Sequence, residues 1–95
     1  MKFLEGVAGE PLSLGALLRS IRLGENISQS DFATRLGITK SHLCDVEKGR
    51  KTVGPARASR WARVLGYGEA QFVRLALQGM LLEAGLRLKV SVEAA

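Results

Sequence analysis

The side chains richest in chemistry crowd one short stretch, where Thr39, Lys40, Ser41, His42, Cys44, Asp45, Lys48, Arg50 and Lys51 follow one another closely. These groups donate and accept hydrogen bonds and carry charge, so they suit catalysis, metal binding or recognition of a polar partner. Catalysis has little to stand on. No Ser/His/Asp or Cys/His arrangement comes with a supporting motif, and the glycines form neither a G-x-x-x-x-G-K-[ST] nor a G-x-G-x-x-G signature. His42 and Cys44 are the only histidine and cysteine, which argues against a zinc site within one copy. No metal and no cofactor are expected, and recognition is left.

The charge distribution indicates what is recognised. The chain carries a net charge of +5, yet residues 1–34 lean slightly acidic and residues 64–95 balance. The excess lies in residues 35–63, where Arg35, Lys40, Lys48, Arg50, Lys51, Arg57, Arg60 and Arg63 face only Asp45 and Glu47. A local basic patch is the electrostatic footprint of a phosphate-backbone binder, although a solvated basic surface without a partner has the same composition. Ninety-five residues make one small domain. With 46% apolar residues but only Phe3, Phe32, Trp61, Tyr67 and Phe72 as aromatics, the core must be built of Leu, Val, Ile and Ala, which suits helices. A single cysteine rules out an intrachain disulfide, and no uncharged apolar run reaches the ~18 residues of a membrane span. The first ten residues do not read as a signal peptide, so a cytoplasmic location is the default expectation.

Five helices and a terminal strand are expected to position these groups. Ser13 caps a helix over residues 14–23, with Leu14, Leu17, Leu18 and Ile21 inward and Gly24 as its stop. Ser28 caps residues 29–36, where Asp31 gives a box-like start and Phe32, Ala33 and Leu36 form the buried face. Thr39 caps residues 40–48; Leu43, Val46 and Glu47 face one way, while Lys40, Ser41, Cys44, Asp45 and Lys48 face the other. Pro55 opens a helix that reaches Leu65, with Ala58, Trp61, Ala62 and Leu65 inward. A fifth helix covers residues 70–84. Residues 86–93 then alternate apolar and polar without a fault, the period of a half-buried strand.

Residues 29–48, QSDFATRLGITKSHLCDVEK, resemble the helix-turn-helix of the Cro/repressor-type (xenobiotic-response-element-like) transcriptional regulators. Gln29 opens the first of the paired helices, Ala33 keeps them close, Gly37 makes the turn, and Phe32, Leu36, Ile38, Leu43 and Val46 fill the locking positions. The resemblance covers residues 13–66 and extends to Arg22 and Glu47, which stand where the family pairs an Arg with a Glu. It implies an all-α, repressor-like domain whose second paired helix lies in the DNA major groove. Lys40, Ser41 and Asp45 match the family's base-reading positions, with His42 and Cys44 beside them. Lys40 would donate to guanine, and Asp45 would accept from cytosine or repel other bases. Cys44 would touch a thymine methyl or, more simply, pack as a small residue. Ser28, Gln29 and Thr39 at helix N-termini, with Lys48, Arg50, Lys51 and Arg57, are the expected phosphate contacts. Arg35, Arg60 and Arg63 read as a solvated helix face.

Residues 67–95 read as an assembly element and residues 1–12 as an N-terminal arm or short strand. The fifth helix is apolar nearly all round, wider than the stripe a surface helix needs. Phe72, Leu77, Met80 and Leu81, with Leu88, Val90 and Val92 of the strand, are therefore the expected dimerisation residues. The strand would pair with its counterpart in a second copy or with a segment around residues 2–7. The expected partners are double-stranded DNA and a second copy of the chain, with no membrane. The leading expectation is a dimeric repressor on a near-palindromic operator. The alternatives are an antitoxin that neutralises a toxin protein and represses its own operon, and a non-specific architectural protein.

Overall fold

Ser13, Ser28 and Thr39 each hold an extended backbone and accept a hydrogen bond from the amide three residues on, at 3.1, 3.1 and 3.0 Å. These bonds satisfy amides that a helix start leaves unpaired, and they launch the first three of five helices in a computed structural model that describes residues 13–93. The helices are α1 (Leu14–Gly24), α2 (Gln29–Leu36), α3 (Lys40–Glu47), α4 (Pro55–Leu65) and α5 (Glu69–Glu83). The proposed arm over residues 1–12 lies outside the described residues.

Every helix ends the same way. After α2, the Gly37 amide donates to Thr34 O and the Ile38 amide to Ala33 O, with Gly37 at φ 78°. This double closure needs a left-handed residue and reverses the chain sharply. It recurs after α3, α4 and α5 at Gly49, Gly66 and Gly85. In α1 the expected stop, Gly24, is instead the last helical residue. Asn26 takes the left-handed conformation at φ 60°, a role its short polar side chain tolerates.

One core unites the helices. Leu14, Leu17, Leu18 and Ile21 of α1 meet Phe32, Ala33 and Leu36 of α2, Leu43 and Val46 of α3, and Ala58, Trp61 and Ala62 of α4. Val53, in the loop before α4, joins them. Phe72, Leu75 and Ala76 of α5 also enter this core. Phe72 is therefore not available to a second copy: it is 0% exposed and its ring stacks at a tilt 6.1 Å from that of Tyr67. An all-apolar helix does not reveal from its own pattern which face meets its subunit. Here Phe72, Leu75, Ala76 and Gln78 of α5 face inward, while Met80 and Leu82 are exposed.

The alternation over residues 86–93 does not produce a β-strand, and the described residues contain no strand. A period-2 pattern becomes a strand only where a ladder partner exists. Among the described residues the partner is a side chain. Gln78 of α5 donates from Nε2 to Leu88 O at 2.7 Å and accepts at Oε1 from the Val90 amide at 3.1 Å. The fold is thus all-α over the described residues.

Candidate nucleic-acid interface

The placement of α3 begins with two contacts to α1. Gly15 is the closer one. A Cβ built there would lie 1.9 Å from Val46 O, so α1 and the last turn of α3 touch backbone to backbone. The second is ionic. Arg22 Nε and Nη2 donate to Glu47 Oε2 and Oε1 at 2.8 and 3.1 Å, a two-pronged pair. The side chains are 11% and 2% exposed. Arg22 Nη1 donates to Ile27 O at 3.1 Å, and Gln29 Nε2 donates to Glu47 Oε1 at 3.0 Å. Four polar groups from α1, the α1–α2 loop, α2 and α3 are thereby fixed to one another. On the far side, Trp61 Nε1 donates to Leu36 O at 3.1 Å, so α4 braces a carbonyl at the end of α2 that the helix itself leaves unpaired.

With Leu43, Val46 and Glu47 turned inward, the opposite side of α3 faces out. Lys40 and Ser41 are exposed, and His42, Cys44 and Asp45 are half-buried. Asp45 pairs loosely with Arg50 at 3.5 Å, and both carry exposed side-chain surface. His42 is held below the usual histidine value of 6.5: burial disfavours its cation, and the nearby charges of Arg57 and Lys51 repel it, against a smaller pull from Asp45. That repulsion is informative about position. Lys51 from the loop and Arg57 from α4 lie beside the outward side of α3 and extend its basic surface.

A shallow basin adjoins the start of α2. It is lined by Arg19, Arg22, Ser28, Gln29, Ser30, Lys40, Glu47 and Lys48. Arg22 and Glu47 neutralise each other, which leaves Arg19, Lys40 and Lys48 as its positive charges around a helix N-terminus, a setting that favours an anion. The Ser28 and Thr39 hydroxyls spend their oxygens on capping bonds, so their O–H groups remain free to donate.

The expected site residues therefore separate into groups. Lys40, Ser41, Asp45, Cys44, His42, Lys48, Arg50, Lys51 and Arg57 lie on or beside one surface around α3. Gln29 lines the basin, but one of its amide protons is committed to Glu47, so it serves the internal frame as well. Arg63 belongs elsewhere, bonded to Ser59 and Glu69. Two residues escaped the sequence reading. Arg19 has a local signal, since it lies three residues before Arg22 and shares its side of α1. Gly15 has none: a glycine inside a helix pattern does not announce which backbone it must admit.

This arrangement is a helix-turn-helix, and comparison with known families agrees. A helix-turn-helix family model matches residues 18–72, more than half of the chain. The chain belongs to this family of Cro/repressor-type regulators and is a DNA-binding transcriptional regulator. No curated protein and no solved structure matches the chain. Among the described residues no helix is long and apolar enough to cross a membrane.

Proposed function

We propose that the protein is a sequence-specific repressor that binds a near-palindromic operator as a homodimer, with α3 in the major groove. The single observation that carries this reading is the two-sidedness of α3. Its inner side is locked by Gly15, Arg22 and the core, while Lys40 and Ser41 project from its exposed first turn. A rigid helix that presents its N-terminal side chains to solvent is what base-edge reading requires. Lys40 donates to guanine O6 or N7, and Asp45 accepts from a cytosine amine. Ser41 donates or accepts. Cys44, half-buried, packs against the groove wall.

Ser28, Thr39, Lys48, Arg50, Lys51 and Arg57 contact phosphates and set the register of the helix on the duplex. Two copies joined at the C-terminal end place two such helices about 34 Å apart, one turn of DNA. Joining them makes the second half-site contact effectively intramolecular. The antitoxin alternative uses the same DNA-binding frame and has no residue of its own to rest on.

Selection of preferred duplexes from a random pool tests the reading. The expected result is an inverted repeat with half-site centres about 10 base pairs apart. Lys40→Ala should relax preference at one position per half-site and weaken binding by roughly 1–3 kcal/mol. A pool that returns no motif would remove the sequence-reading role. Equal losses on all duplexes would reassign Lys40 to a phosphate.

A further inference from the structure

Gln78, in the second half of α5, is a buried polar residue, 7% exposed. Its amide spends both hydrogen-bonding ends on the tail, at Leu88 O and the Val90 amide. In an extended chain those two groups point to the same edge, because the peptide groups of alternate residues share a side. Gln78 therefore bonds the tail as a neighbouring strand would and occupies the edge of the even-numbered residues. The other edge, carrying the backbone groups of Arg87, Lys89 and Ser91, has no partner among the described residues. Apolar side chains at this end are also uncovered: Leu82, Leu86 and Leu88 are 55%, 45% and 58% exposed, and Leu82 and Leu86 line one hollow. Unpaired backbone along one edge and exposed apolar side chains beside it both mark a contact site.

We propose that residues 86–93 of two copies pair along this free edge as an antiparallel ribbon centred on Val90. The proposal rests on the homodimer reading above and names the surface that makes the dimer. What selects a second copy as the occupant is the self-complementarity of the segment. About a two-fold axis at Val90, Arg87 falls opposite Glu93 of the other strand, and Leu88 falls opposite Val92. Lys89 then meets Ser91, and Val90 meets itself. Opposite charges therefore meet at both ends, and the apolar residues of both strands share one face. Centring on Lys89 would instead set two like charges against each other.

The edge agrees with this register. Odd-numbered residues supply the hydrogen-bonded pairs, 87 with 93 and 89 with 91, which leaves Val90 in a non-hydrogen-bonded pair on the axis. There its Cα atoms would lie about 4.5 Å apart, within disulfide reach.

Cysteine crosslinking in the full chain tests the register, with Cys44→Ser removing the native thiol. Under mild oxidation, Val90→Cys should give covalent dimer and Lys89→Cys little. Both residues of the charge pair are exposed, so exchanging them spares the fold. Arg87→Glu should raise the dimer dissociation constant roughly tenfold, since two symmetric pairs turn repulsive. Glu93→Arg should do the same, and the double variant should restore dimerisation. A dimer by sedimentation with no Val90→Cys crosslink and no charge rescue would overturn the ribbon and leave the homodimer reading standing. A monomer that occupies single half-sites would overturn both.

Discussion

Gly15→Ala adds one methyl group where α1 meets α3. The new Cβ would lie 1.9 Å from Val46 O and 2.9 Å from Val46 C, both backbone atoms of a helix that cannot give way by a rotamer change. Ordinary contact begins near 3.4 Å, so the two helices must separate locally by about 1.5 Å. Alanine favours the helix over glycine by about 1 kcal/mol, whereas overpacking of this kind costs typically 1–3 kcal/mol and more when the backbone itself must move. The second effect wins, and a net loss of about 1–2 kcal/mol is expected, some 5–15 °C in melting temperature for a domain this small.

The functional loss should persist even where the variant is fully folded. The displaced element is α3, and Arg22–Glu47 would be stretched with it. Operator affinity measured by fluorescence anisotropy, at a temperature where the variant is fully folded, should fall at least tenfold, while weak binding to unrelated DNA changes little because it depends on charge. A variant as stable as the parent, with unchanged operator affinity, would show that the backbones do not meet as described.

Four further outcomes are expected. Glu47→Ala strands the Arg22 guanidinium and the Gln29 amide, and it should cost about 2–4 kcal/mol in urea unfolding, below a fully buried pair because Arg22 reaches solvent. Arg22→Lys should not reproduce the parent, since an ammonium cannot make the two-pronged contact; full stability in that variant would contradict the geometry. Lys51→Ala and Arg57→Ala should each lower the slope of log affinity against log salt by about 1 and leave base preference intact, and an unchanged slope would place them off the DNA. His42 is more easily protonated in the unfolded chain than in the folded one, so its contribution to stability is present above the ordinary value of 6.5 and is lost as pH falls below it. A stability curve between pH 7 and about 5.5 should therefore flatten in His42→Gln, and identical curves for both proteins would count against the burial of His42 and the repulsion from Arg57 and Lys51.

The local features of the chain are written in its residue order. Ser13, Ser28 and Thr39 cap helices because a short hydroxyl three positions before an amide satisfies that amide wherever the helix goes. Gly37, Gly49, Gly66 and Gly85 end helices because the left-handed closure needs only its neighbours. Spacing alone also brings Leu43 and Val46 to one side of α3 and Lys40 and Ser41 to the other. Contacts between distant segments were another matter. Nothing near Gly15 marks it as the point where α1 touches Val46, and nothing near Phe72 marks it as core while Met80 stays exposed. Residues 86–93 have a strand's alternation, yet a strand needs hydrogen-bonding partners from elsewhere. Among the described residues the amide of Gln78 answers that need, and only folding brings it there. Periodicity and capping act over a few residues and can be read in a line; the choice of which surfaces meet depends on the whole packing, and it was made in three dimensions.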